Sequence, residues 1–399
     1  MSASSAAGPT VAGVPLVFLL FAATLAGVLF AHGRAWAVAL IGLAVIAVVR
    51  VGFSQFDLAA HVAQETPKLL NLFGLLVGFA VLADDFDSSR AGERLPRLLP
   101  GGRLGCFTLL LFVLLMSAVL DNIAAAMIGA TIAARVFDGK VYVGYFIAIV
   151  AAANAGGAGS VIGDTTTTMM WLDGVHPVEL LPAAIGAAVA LAVFGTVAAF
   201  QQHRRAPLVP AAAAPPRVDG WRLVIVAAAL IALIATNVIT SLLLGDRADR
   251  FPFMAVVLWA VLGGGALLRP IHWRLIGAQA RGSVLLIALV SAASLMPVDR
   301  LPAPGVKTTL GLGLLSAVFD NIPLTKLALD QGGYDWALLA FAVGFGGSML
   351  WFGSSAGVAV ASRFPEARST WAWLRHGWAV PVAFVAGFAA QYAVAGWNP

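Results

Sequence analysis

Charge is what this 399-residue sequence has least of. It carries 24 lysines and arginines and 19 aspartates and glutamates, so charged residues make up 11% of the chain, against about 25% in soluble domains. Apolar residues reach 60%, and mean hydropathy is +0.92. Too few polar groups remain to cover a water-facing surface, which excludes a soluble globule. A single cysteine, Cys106, excludes an intramolecular disulfide and leaves the redox compartment open. Residues 1–10 contain no lysine or arginine, so the basic start of a signal peptide is missing. The apolar run 11–31 is long enough to span a bilayer and reads as a retained first helix. The net charge of +5 and pI near 9.8 would suit nucleic acid. The arginines, however, sit in scattered short loops, where they orient membrane spans.

What is present in abundance is apolar sequence interrupted by small residues. Apolar stretches recur at about 11–31, 35–52, 68–84, 104–137, 141–172, 178–200, 222–243, 251–269, 274–297, 307–329, 336–362 and 377–397. Most match the roughly 20 residues that a transmembrane helix needs. Two carry a polar pair at their centre: Asp121-Asn122 in 104–137, and Asp320-Asn321 in 307–329. Each is expected to be a re-entrant hairpin, since non-helical backbone survives at depth only inside protein or beside a wet cavity. The stretches 141–172 and 336–362 are interrupted by glycines and small polar residues and read as broken helices.

The expected fold is therefore an all-α polytopic membrane protein with two repeats, residues 1–205 and 221–399, joined by a cytoplasmic linker at 206–220. Each repeat holds about five transmembrane helices, one re-entrant hairpin and one broken helix. Five is odd, so the second repeat enters the membrane inverted. With the linker in the cytoplasm, seventeen basic residues fall on that side, among them Arg90, Arg94, Arg97, Arg103 and the Arg204–Arg222 group. Seven fall on the other: Arg50, Lys68, Arg247, Arg250, Arg300, Lys307 and Lys326. The asymmetry obeys the positive-inside rule and puts both termini outside.

The repeat is written in the residues. Ser117-Ala118-Val119-Leu120-Asp121-Asn122-Ile123 recurs, 199 positions on, as Ser316-Ala317-Val318-Phe319-Asp320-Asn321-Ile322. Gly156-Gly157 and Gly163-Asp164 parallel Gly346-Gly347 and Gly353-Ser354, 190 positions on. Duplicated halves with discontinuous helices are characteristic of secondary transporters, because a broken helix presents free carbonyls to a cation and free N–H groups to an anion.

Only Asp121, Asp164 and Asp320 lie at predicted membrane depth. Each costs about 2.5–3.5 kcal/mol to insert. Capping a helix start explains one such residue, but not three gathered at matched breaks. Sodium, a hard cation, prefers oxygen ligands. The candidates are Asp121, Asn122, Asp164, Asp320 and Asn321, with Asn154, Ser160 and the run Thr165-Thr166-Thr167-Thr168 in the first half, and Ser348, Ser354 and Ser355 in the second. The threonines either coordinate or bond back to their own helix. A carboxylate removed from water resists ionisation while a cation beside it favours the ionised form, so proton and sodium compete for one group. Lys326 either snorkels to the outer surface or pairs with an aspartate in place of a second cation. His61, His176, Asp173 and the cluster Asp84, Asp85 and Asp87 sit at membrane mouths, as cation funnels, pH sensors or plain solvated loop residues.

At these motifs the sequence resembles the NhaD family of sodium/proton antiporters, within the ion transporter superfamily. The matching strings are SAVLDNI at 117–123, ANAGGAGSVIGDTTTTMMW at 153–171, SAVFDNIPL at 316–324 and GGSMLWFGSSAGVA at 346–359. The resemblance implies sodium or lithium export against protons, a scaffold and a moving part working as an elevator, and a homodimer. By position it assigns Asp121, Asn122, Asp164, Thr165, Asp320 and Asn321 to the ion site. Apolar Ile123-Ala124-Ala125-Ala126 stands where members often carry threonines, and Lys326 has no expected counterpart. No cofactor is implied beyond the transported ion.

Three other readings compete. Sodium-coupled uptake of a carboxylate or other anion needs donors at the midplane, where the basic side chain available is Lys326. An intramembrane aspartyl protease would want glycine at Val161 ahead of Gly163-Asp164, and a channel would show a pore-loop pattern.

Overall fold

The computed structural model describes residues 9–31, 34–53, 56–91, 94, 99–208, 217–244 and 250–399. Most of the linker expected at 206–220 lies outside the described residues, as do Arg97 and Arg247. The first described residues form a two-stranded antiparallel hairpin, β1 (Thr10–Val11) and β2 (Val14–Pro15), turned at Ala12 and Gly13 with positive φ. Among the described residues, everything regular beyond it is helical.

The helices are α1 (Leu16–Phe30), α2 (Ala35–Phe53), α3 (Leu58–Ser88), α4 (Gly102–Ser117), α5 (Asn122–Val136), α6 (Val143–Ala158), α7 (Thr165–Leu172), α8 (Pro177–Leu180), α9 (Ala183–Ala190) and α10 (Thr196–Arg205). The second half follows with α11 (Gly220–Leu244), α12 (Phe253–Gly265), α13 (Trp273–Ser294), α14 (Val306–Ser316), α15 (Asn321–Gln331), α16 (Trp336–Gly346), α17 (Ser355–Arg363), α18 (Thr370–His376) and α19 (Ala379–Ala395). Among the described residues three stretches are long and apolar enough to cross a membrane: α2, α3 and the near-continuous run 177–205. α18 and α19 together are also long and apolar enough, with a bend of 60° between them. Apolar faces are exposed, with Ile41 and Val48 on α2, Ile231 on α11 and Leu267 just past α12. Water does not tolerate such faces over a whole molecule, and the chain is an all-α polytopic membrane protein.

The residues fall into two compact units. The first holds the described parts of 1–81, 224–303 and 322–332. Here Gly74 and Gly78 of α3 let α12 approach until Ala255 and Leu258 fill the space of their missing side chains. Trp259 Nε1 donates to the Gly74 carbonyl at 3.0 Å, and the Asn71 amide oxygen accepts from Ala255 N at 2.8 Å. Close backbone approach through small residues is how helices associate in lipid.

The second unit holds the described parts of 82–223, 304–321 and 333–399. Its centre is α6 and α16. Every residue from Gly144 to Ala158 is buried, and so is every residue from Ala337 to Gly346. A helix apolar on all faces must be enclosed on all faces. α4, α5, α9, α10, α14, α17 and α19 enclose this pair. Phe341, Phe345 and Phe384 stack nearly parallel beside it.

Two expectations at the membrane mouths need correction. The helix that carries the stretch 68–84 runs over 58–88, and Glu65 and Asp85 lie within it, each in an ion pair. Asp85, read above as a mouth or loop residue, is buried in the last turn of α3 and ion-paired with Arg222, itself 8% exposed.

Candidate functional site

Each break in a helix leaves backbone N–H groups that need an acceptor. Three side chains of the second unit meet that need. Asp121 caps α5, accepting from Ile123 N at 2.8 Å and Ala124 N at 3.4 Å. Asp164 caps α7 through Thr166 N at 3.4 Å. Ser354, at the position matching Asp164, caps α17 through Gly357 N at 3.2 Å.

Glycines bring these caps together. A methyl group on Gly156 would run into the Leu114 carbonyl, and one on Gly346 into that of Gly313. On Gly163 and Gly353 it would meet the carbonyls of Ser117 and Ala317. All four contacts lie under 3 Å, so no side chain fits. α6 and the turn before α7 therefore meet α4 backbone to backbone, and α16 and the turn before α17 meet α14 in the same way.

Polar side chains meet where the backbones meet. Asn122 Nδ2 donates to Asn154 Oδ1 at 3.1 Å. Asn154 Nδ2 donates to the hydroxyls of Ser348 at 2.9 Å and Ser354 at 3.0 Å. Asn321 Nδ2 donates to Asp164 Oδ2 at 3.2 Å. Asp164 is 2% exposed, and the charges of Asp121 and Asp320 both reach it. Asp121 and Asp320 are half-buried. Asp121 and Asp164 are thus each held as helix caps, the charge of Asp320 reaches Asp164, and a cation would relieve the repulsion.

The threonine run divides. Thr167 donates to the carbonyls of Ser160 at 2.5 Å and Asp164 at 2.9 Å; Thr168 donates to those of Val161 at 2.9 Å and Asp164 at 3.0 Å. These hydroxyls buttress the break by occupying carbonyls it frees. The Thr166 hydroxyl, beside the Asp164 carboxylate, is fully buried without a well-formed hydrogen bond. Thr165 and Ser355 open α7 and α17, half-buried. The Ser160 hydroxyl accepts from Ile162 N at 3.4 Å, inside the break.

Sequence reading missed Gly344. It occupies, 190 positions on, the place of Asn154, and a Cβ there would sit 3.2 Å from Asp164 Oδ2. Extending the glycine alignment two residues upstream would have found it. Ser316 was passed over too; its hydroxyl donates to the Val343 carbonyl at 2.6 Å and ties the hairpin to α16.

Lys326 belongs to the first unit, and the three aspartates belong to the second. It does not snorkel: it is 5% exposed and pairs with Glu65 at 3.0 Å and Asp330 at 2.8 Å. Glu65 on α3 supplies the partner that hydropathy alone had placed outside a span. Nearby, His61 shares a 3.0 Å hydrogen bond with Ser294. Asp173 and His176 are exposed.

No family model matches the chain. Among curated proteins it is 31% identical over 284 residues to "Sodium/proton antiporter 2" of Arabidopsis thaliana, covering 61% of this chain and 66% of that protein. It is 28% identical over 285 residues to "Sodium/proton antiporter 1" of the same plant, covering 61% and 48%. It is 27% identical over 328 residues to "Na(+)/H(+) antiporter NhaD" of Alkalimonas amylolytica, covering 71% and 67%. The chain thus spans about two thirds of the first and third relatives and about half of the second.

Proposed function

Because the chain belongs to the sodium/proton antiporter family that includes NhaD, we propose that it exchanges sodium, or lithium, for protons across a bacterial-type cytoplasmic membrane. The observation that carries this reading is the meeting of Asp121, Asp164 and Asp320 at helix breaks, with Asn321 bonded to the buried Asp164 carboxylate. Asp164 is the central ligand. Asn321 orients it, Thr166 adds a hydroxyl, and Asp121 and Asp320 supply negative potential. Proton and sodium compete for the same carboxylate oxygens, so arrival of one expels the other. That competition performs exchange without a separate proton path.

The chain works as two inverted repeats. α4 with α5, and α14 with α15, are the re-entrant hairpins; α6 with α7, and α16 with α17, are the broken helices. The duplicated motifs and the matched glycine contacts support this. Both termini lie outside, and two copies associate as a homodimer, each moving its ion site in the manner of an elevator. Lys326, the basic side chain an anion would need, is neutralised by Glu65 and Asp330. Three carboxylates at the breaks would repel an anion as well, so cation exchange is favoured over carboxylate uptake.

The test is reconstitution into vesicles with an imposed pH gradient, challenged separately with sodium, lithium, potassium and citrate. Sodium and lithium are expected to dissipate the gradient, and citrate to leave it unchanged. A gradient indifferent to sodium and lithium refutes the proposal.

A further inference from the structure

The two repeats offer two positions for a cation, and they are not alike. At one, Asp164 caps α7, and across from it stands Gly344 with no side chain. At the other, Ser354 replaces the carboxylate, and across from it stands Asn154 in place of the glycine. The Asn154 side chain fills that space. Its amide N–H groups are held by the Ser348 and Ser354 hydroxyls at 2.9 and 3.0 Å, and its oxygen accepts from Asn122 at 3.1 Å. All four side chains are at most 5% exposed. The Ser354 hydroxyl also accepts from Gly357 N, so its oxygen already carries two donors.

We propose that the exchanger has one cation seat, at Asp164 opposite Gly344, and that Asn154 is a built-in plug closing the mirrored seat at Ser354. This rests on the exchange function proposed above and deepens it by giving the number of sodium ions per chain. The reasoning is steric and electrostatic together. The seat at Asp164 has a carboxylate, a buried Thr166 hydroxyl lacking a well-formed hydrogen bond, and at Gly344 no side chain to fill the place that Asn154 fills in the other half. The seat at Ser354 has no charge, and its nearby hydroxyl oxygens are engaged by N–H donors. A sodium ion there would have to displace Asn154 and strip its three hydrogen bonds, with no carboxylate in return. In this scheme Asn154 and Ser348 position the broken helices and do not touch the ion.

Equilibrium binding of radioactive sodium to the purified full-length chain in lipid nanodiscs tests this. Wild type is expected to bind one sodium per chain. Gly344→Asn, which copies the plug into the open seat, is expected to abolish binding. Should that variant misfold, Gly344→Ala serves: its Cβ meets only the Asp164 oxygen closely, the next atom being 3.7 Å away, and it should weaken binding roughly tenfold with unchanged thermal stability. The double variant Asn154→Gly/Ser354→Asp is expected to bind two. Two ions bound by wild type, or wild-type affinity in folded Gly344→Ala, would overturn the single-seat proposal while leaving exchange intact. No sodium bound by wild type would overturn the exchange reading and this proposal with it.

Discussion

Replacing Lys326 by methionine isolates the one buried cation that sequence reading left unresolved. Methionine keeps nearly the same length and apolar stem, so the change removes charge and little volume. In the parent, the ammonium lies between Glu65 and Asp330, with side-chain exposures of 6%, 17% and 25%. Removing one partner of a buried pair costs about 3–5 kcal/mol, because the charge left behind has no compensation. Here two carboxylates are left facing each other, but water reaches both, so the expected loss is about 2–3 kcal/mol. Neutralising the acids as well, in Glu65→Gln/Lys326→Met/Asp330→Asn, removes the stranded charges and should recover most of that loss, since a wholly neutral cluster is often as stable as the ionic one. Denaturant titration of the purified protein in mixed micelles measures both variants against the parent. Sodium affinity should stay within about twofold in the triple variant, as Lys326 pairs with Glu65 and Asp330 inside its own unit. A single variant as stable as the parent, or a triple variant no better than the single, would refute an ionic role for the cluster. A large change in sodium affinity in the folded triple variant would refute a purely structural role for the cluster.

Four further outcomes are expected. Asp164→Asn and Asp121→Asn should abolish or severely depress sodium-driven proton flux in vesicles, while a folded, monodisperse protein persists; full flux in either would contradict the competition mechanism. Asn321→Ala removes a hydrogen bond to a carboxylate, worth about 1.5–3 kcal/mol, and should weaken sodium binding by roughly 10- to 100-fold, read as the concentration giving half-maximal flux. On the proposed competition of one proton with one sodium, that half-maximal concentration should rise up to about tenfold for each unit the pH falls below the range of tight binding, and flatten above it; a profile flat throughout would exclude a shared site. Asp85→Asn removes a carboxylate from the buried Arg222 guanidinium and should lower stability by about 3 kcal/mol, whereas the reversed pair Asp85→Arg/Arg222→Asp should restore part of it in the same titration.

Much of this protein was legible from its residues because the membrane imposes simple rules. Long apolar runs, a rarity of charge and the recurrence of SAVLDNI as SAVFDNI determined an all-helical membrane chain with duplicated break points. The cost of a carboxylate at depth singled out Asp121, Asp164 and Asp320, and all three gather in one unit. Pairings that join residues far apart in the chain could not be read this way. Lys326 looked anomalous only while Glu65, 261 positions earlier, was counted outside the membrane; folding brings the two to 3.0 Å. Asp85 looked like a solvated mouth residue until Arg222 was seen against it. Within the site, sequence supplied the oxygen-bearing residues but not the division of labour among them. Thr167 and Thr168 spend their hydroxyls on the backbone, Thr166 does not, and Asn154 is tied to two serines about 200 positions away. Hydropathy and spacing report what each segment tolerates as its surroundings. Which donor finds which acceptor depends on where helices separated by half the chain come to rest, and that was decided only in three dimensions.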